Sequence, residues 1–271
     1  MRLLALILAA LAAPASAQGR PPQSAATASH PLNGTWRIDP KSAQLPARPD
    51  VFAVKDGVYS CQSCTPSAYQ VAADGAFHKV AGRDYWDEMA LDASAPDALA
   101  MRFRRGGKDV GESRVTVSAD GKTLTRVSRT TDNPQSTPLE DTAVFARVSP
   151  APDGAHRASG GWTPVSVDSS TDAGLTLTYK IDGDTVAYTS PIGEGYTARI
   201  GGPAMPMDGD PSGLMVRVAR PAPNQLEESF LRGDEVQSVV LISVAPDGKT
   251  ATGRGTNRRT GAVTTYTAVK R

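Results

Sequence analysis

Two stretches of this chain carry residue types that could do chemistry. The first is VYSCQSCTPS, residues 58–67, which holds both cysteines, Cys61 and Cys64, in a C-x-x-C spacing. A c-type haem hook needs His directly after the second Cys, and here Thr65 follows Cys64. Structural zinc needs four ligands, and His78 is the nearest further candidate in sequence. A thioredoxin-like redox pair needs a βαβ setting with the first Cys at a helix N-terminus, whereas these cysteines sit among strand-like and turn residues. A local disulfide fits best, with zinc and redox roles as alternatives. No metal and no cofactor is expected.

The second stretch is ADGAFHKVAGRDYWDEM, residues 73–89. His78 could act as a general base, oriented by a carboxylate such as Asp84 or Glu88, while Tyr85 and Trp86 could stack on a ligand. The competing reading is a solvated loop whose two aromatic rings close the end of a fold. No G-x-S-x-G is present, and no Ser or Cys nucleophile can be assigned to His78. His30 and His156 are expected to be solvated, one in an N-terminal tail and the other in a linker.

The chain opens MRLLALILAALAAPASAQG. Arg2 supplies a positive start, Leu3–Ala13 an apolar run too short to span a bilayer, and Ala15-Ser16-Ala17 a small-x-small cleavage site. Residues 1–17 therefore read as a signal peptide, which places the mature protein in the periplasm or outside the cell, where disulfides persist. Residues 18–32, rich in Pro, Ser and Gln, read as a disordered segment. No later segment is long and apolar enough for a membrane helix. The formal net charge is +1 with no basic run, which argues against nucleic acid as a partner. Nothing in the sequence sets an oligomeric state.

An internal repeat organises the rest. SADGKTLT (118–125) recurs as APDGKTAT (245–252), 127 residues later. The same offset takes Tyr69 to Tyr196, Gly82 to Gly209 and Arg105-Gly106 to Arg232-Gly233. Gly34-Thr35-Trp36 maps onto Gly160-Gly161-Trp162, and Val144–Arg147 onto Ala268–Arg271. Two copies follow, 33–148 and 159–271, with 149–158 as a linker. Each reads as β-structure. Residues 175–182, LTLTYKID, alternate apolar and polar side chains with period two. Asp120-Gly121 and Asp247-Gly248 sit between strand-like runs as hairpin signals, read as type I′ turns. In ALAMRFRRGG (98–107), Met101 and Phe103 share one face and Arg102 and Arg104 the other; outward arginines around an apolar cavity are expected, with inward arginines holding an acid group as the alternative that one register step would produce. The pattern suggests eight to ten antiparallel strands per copy, closed into a barrel that removes exposed edges.

Gly-x-Trp at the start of each copy, with a basic residue in its last strand, resembles the lipocalin and fatty-acid-binding-protein superfamily. LNGTWRIDPKSAQ followed by DGKTLT is also similar to small exported bacterial proteins with a lipocalin-like domain. The resemblance implies that an indole plugs one end of each barrel under a basic side chain: Trp36 under Arg147, and Trp162 under Arg271 or Lys270. It further implies two tandem antiparallel lipocalin-like barrels binding a small apolar or amphipathic ligand. An enzyme using His78 in the first barrel, and a structural envelope protein with filled barrels, stand as alternatives.

Overall fold

The computed structural model describes residues 29–64 and 67–271; the expected signal peptide and residues 18–28 of the segment after it lie outside them. The first half contributes β1 (Gly34–Gln44), β2 (Asp50–Lys55), β3 (Val58–Cys61), β4 (Tyr69–Ala72), β5 (Asp74–Lys79), β6 (Glu88–Asp92), β7 (Ala98–Arg105), β8 (Lys108–Val117), β9 (Thr123–Thr130) and β10 (Leu139–Ser149). The second contributes β11 (Gly160–Ser170), the single turn α1 (Asp172–Leu175), β12 (Thr176–Asp182), β13 (Thr185–Thr189), β14 (Gly195–Arg199), β15 (Met205–Pro206), β16 (Met215–Ala219), β17 (Gln225–Arg232), β18 (Glu235–Val244), β19 (Thr250–Asn257) and β20 (Val263–Lys270).

These strands form two ten-stranded antiparallel sheets, each curled into a nearly closed barrel, an architecture compatible with a calycin-like fold. One runs β4-β3-β2-β11-β10-β9-β8-β7-β6-β5, and the other β14-β13-β12-β1-β20-β19-β18-β17-β16-β15. The order is the same in both, strand for strand. Curling brings the sheet edges together: in the second barrel Gly195 and Asp208 exchange main-chain hydrogen bonds of 3.1 and 2.7 Å across the seam. This closure hides strand edges that would otherwise template aggregation.

The closing strands are exchanged. β1, from the first copy, pairs with β12 and β20 of the second, while β11, from the second copy, pairs with β2 and β10 of the first. The expected domains, 33–148 and 159–271, are corrected accordingly. Residues 50–170 form one continuous barrel, here the nested barrel. It is inserted into a split barrel made of β1 and β12–β20. The local reason lies between β1 and β2. Leu45-Pro46-Ala47-Arg48-Pro49 has no Gly or Asn for a tight hairpin, and each proline biases the residue before it to extended backbone. The chain therefore runs on instead of folding β1 back onto β2.

The exchange also reassigns the plugs. Trp162, fully buried, lies under Arg147 with the guanidinium 4.0 Å from the ring centre; Trp36, 1 % exposed, lies under Lys270 at 5.2 Å. The expected pairing of Trp36 with Arg147 is replaced because β10 and β11 set Arg147 opposite Trp162, and β20 and β1 set Lys270 opposite Trp36. Arg271 is not on an indole: its N–H donates to Thr35 O and its side chain joins Arg37 on Asp172 at 2.7 and 2.6 Å. Arg147 also donates to the carbonyls of Gly121, Arg157 and Ser159 at 2.6–2.7 Å, tying three chain segments across the barrel end.

Residues 29–32 and 150–159 are ordered parts of these plugs rather than a tail and a loose linker. Trp36 Nε1 donates to Leu32 O at 2.7 Å and Trp162 Nε1 to Ala158 O at 2.8 Å. His30 Nδ1 accepts from Leu32 N–H and His156 Nδ1 from Ala158 N–H, so neither histidine is simply solvated. His156 Nε2 additionally bonds Ala95 O at 2.7 Å. Burial, followed by the nearby Arg220, pushes the His30 imidazole below its ordinary pKa.

Period two holds along most strands. Tyr179 and Ile181 turn inward on β12, but the strand begins at Thr176, and Leu175 ends the helical turn instead. At 118–121 only Gly121 has positive φ (74°), and its N–H bonds Ser118 O at 2.9 Å. That is a type I turn closed by a left-handed glycine, not the expected type I′; Gly248 (64°) repeats it on Ala245 O.

Candidate functional site

Period two decides what each barrel holds. Along β7, Leu99, Met101 and Phe103 point inward and Arg102 and Arg104 outward, the guanidinia lying 5.0 and 3.7 Å from the ring centre of the half-buried Phe77. Along β9, Leu124, Arg126 and Ser128 point inward. The nested barrel thereby encloses a cavity of about 450 Å³, plugged below by Trp162 and open above.

Its wall is aromatic. Phe52, Tyr59, Tyr69, Trp86 and Phe103 form an unbroken arc from β2 to β7, with successive ring centres 5.8, 5.9, 5.8 and 5.1 Å apart. These spacings suit tilted and edge-on ring contacts. Burial raises the pKa of the Tyr59 and Tyr69 hydroxyls, so both stay neutral hydrogen-bonding groups. Polar groups enter at one level. Arg126 stacks 4.8 Å from the Phe145 ring centre and faces Asp50 at 3.8 Å. Burial holds the Asp50 carboxyl above its ordinary pKa, with Arg126 opposing. Arg83 stacks on Tyr69 at 4.5 Å and on Trp86 at 5.9 Å beside the mouth. Cys61 and Cys64 are bridged, and both line the cavity.

The sequence-derived candidates fare unevenly. Trp86 lines the cavity. Tyr85, 45 % exposed, instead donates its hydroxyl to Asp210 of the split barrel at 3.1 Å, and Arg232 stacks on its ring at 5.3 Å. Asp84 pairs with the same Arg232. His78 is half-exposed on β5 and bonds Asp74 at 2.8 Å, and Glu88 pairs with Lys79 at 3.0 Å. The proposed catalytic set of His78, Asp84 and Glu88 is thus not brought together. Asp84 is committed to the contact between barrels, and His78 lies outside the cavity wall. No three His, Cys, Asp or Glu side chains among the described residues are grouped as a metal site.

The split barrel is built on the same frame but filled. The strand registers set Tyr188 where the nested barrel has Cys61, Tyr179 at Phe52, Glu228 at Met101, Gly253 at Arg126 and Tyr266 at Ala143. Glu228, fully buried, accepts hydrogen bonds from the hydroxyls of Tyr179 (3.1 Å) and Tyr196. Tyr188 sits between those two rings, with centres 5.3 and 5.5 Å away. Tyr266 covers Gly253, occupying the space a side chain there would need. Burial raises the Glu228 carboxyl above its ordinary range, although both tyrosine hydrogen bonds pull it down.

Sequence reasoning missed Arg126, Asp50 and most of the aromatic arc. One signal was legible: Arg126 interrupts the apolar face begun by Leu124, and a charge on an inward face calls for a role. The histidine repeat was legible too, since His30 and His156 lie 126 residues apart, as do the tryptophans they precede. Comparison with known proteins gave no matching family model and no matching curated protein.

Proposed function

We propose that this is an exported, lipocalin-like binding protein whose nested barrel takes one small amphipathic ligand. The carrying observation is the cavity of about 450 Å³, within the size range of small-molecule sites, walled by five aromatic rings and reached by one cation–carboxylate pair. The rings would bury an apolar, preferably aromatic body. Arg126 and Asp50, part-exposed at the open end of the cavity, would orient its polar end by hydrogen bonding and charge. The split barrel, with Glu228 and its tyrosines where a ligand would sit, serves as support. Export is favoured by the leader read at residues 1–17 and by the formed Cys61–Cys64 bridge.

Native mass spectrometry of the purified full chain tests this reading. One adduct of constant mass is expected, lost when Phe103→Ala and Arg126→Ala are combined. Repeated adduct-free spectra, with no saturable binding across an amphipathic compound set, would reject it. Finding residue 18 at the N-terminus of protein recovered outside the cytoplasm would support export.

A further inference from the structure

The bridge is part of the cavity wall, and its position is where the two barrels differ most simply. In the split barrel the corresponding residue is Tyr188, whose ring fills the interior, and that barrel keeps its strand register without a bridge. In the nested barrel Cys61 is 4 % exposed and lies between Phe52 and Tyr69, both in the aromatic arc. Beyond Cys61 the chain turns over the start of β2. Gln62 and Ser63 N–H donate to Val51 O at 2.9 and 3.3 Å, and Val51 N–H donates to Ser63 Oγ at 2.7 Å. The next residue along β2 towards the mouth is Asp50, which faces Arg126. The bridge therefore fixes, through one short turn, both a patch of apolar wall and the carboxylate of the polar pair.

We propose that the Cys61–Cys64 disulfide is a redox-sensitive wall of the ligand cavity, which sets affinity when oxidised and releases ligand when reduced by a dithiol. This rests on the binding reading above. A thiolate of the dithiol attacks Cys64 Sγ, the more exposed sulfur, and Cys61 leaves as a thiolate that takes up a proton. The second thiol of the reagent then displaces Cys64 from the mixed disulfide. The reagent ends as its own disulfide, and the protein gains two electrons and two protons. The turn at 62–63 is then held by its hydrogen bonds alone, and the cavity wall loses its covalent tie, while the rest of the barrel stays paired as its unbridged twin does.

The test uses the full chain and 1-anilinonaphthalene-8-sulfonate, an aromatic amphipathic anion, as probe. The oxidised protein is expected to bind one equivalent. Dithiothreitol should weaken that binding at least ten-fold while near- and far-ultraviolet circular dichroism stay unchanged. The double variant Cys61→Ser/Cys64→Ser should bind as weakly and no longer respond to dithiothreitol. Equal affinity in both redox states would overturn the proposal. Loss of the folded signal on reduction would also overturn it, making the bridge a support of the fold. Failure of the oxidised protein to bind any probe would instead remove the binding reading itself.

Discussion

The nested and split barrels have the same strand order and the same end plug, yet one is hollow and the other full. The difference comes down to a few inward positions. Where the nested barrel sets Arg126 opposite Ala143, the split barrel sets Gly253 opposite Tyr266, a large–small pair reversed across neighbouring strands. Where the nested barrel has Met101 and Cys61, the split barrel has Glu228 and Tyr188. Each content sits within a buried apolar cluster of its own barrel, on the same main-chain ladder and the same plugged end. A buried carboxylate is costly alone, and the tyrosine hydroxyls around Glu228 answer that cost with hydrogen bonds.

The largest expected effect tests the exchange itself. Trp36→Ala should destabilise the split barrel by ~3–5 kcal/mol, and Trp162→Ala the nested barrel by a similar amount, since both rings are buried and the holes left cannot collapse. Hydrogen exchange read by mass spectrometry should show Trp36→Ala deprotecting residues 176–270 and sparing 50–130. Deprotection of 50–130 instead would mean that β1 closes the barrel of its own copy.

The next effect interconverts the interiors. Arg126→Gly with Ala143→Tyr copies the split barrel's solution and should fill the cavity. Probe binding should fall at least ten-fold, about 1.4 kcal/mol, with the melting temperature kept or raised. Retained binding would place the ligand elsewhere.

A third experiment reads Glu228 by pH. Its folded pKa is raised by burial, so the native state keeps a proton that the unfolded chain has already lost. The stability due to this group is fully present below the unfolded value, near pH 4.5, and is lost as pH rises from there through the folded value. The slope should reach at most ~1.4 kcal/mol per pH unit. Glu228→Gln should flatten it in denaturant titrations across pH 4–8; an unchanged slope would mean that the tyrosine hydrogen bonds outweigh burial.

The smallest effect lies between the barrels. Asp84→Asn breaks a part-exposed ion pair to Arg232 and should cost under ~1 kcal/mol, seen as a small shift in melting temperature without change in cavity binding. A large loss of binding would make the inter-barrel contact part of the ligand site.

Much of this architecture could be read from residues alone. Alternation in LTLTYKID, the recurring Asp-Gly turns and the 127-residue offset are local or repetitive signals, so the all-β class, the two barrels and the Tyr179–Ile181 face of β12 followed from them, whereas period two left open which face of β7 turns inward. The same holds for the bridge, because two cysteines three residues apart meet wherever the chain turns. Which strand closes which barrel could not be read. Gly34-Thr35-Trp36 and Gly160-Gly161-Trp162 offer nearly the same indole to nearly the same basic residue, Lys270 or Arg147, and strand pairing is a long-range choice among equivalents. Only the assembled chain, held extended through Pro46 and Pro49, selects the exchange. The site was hidden for a related reason: Arg126, Asp50 and five rings from β2 to β7 are scattered along the sequence and converge only when the sheet curls shut. His78 and Asp84, close in sequence, are sent to opposite duties by the same curvature, one to a solvent-facing strand and the other to the neighbouring barrel.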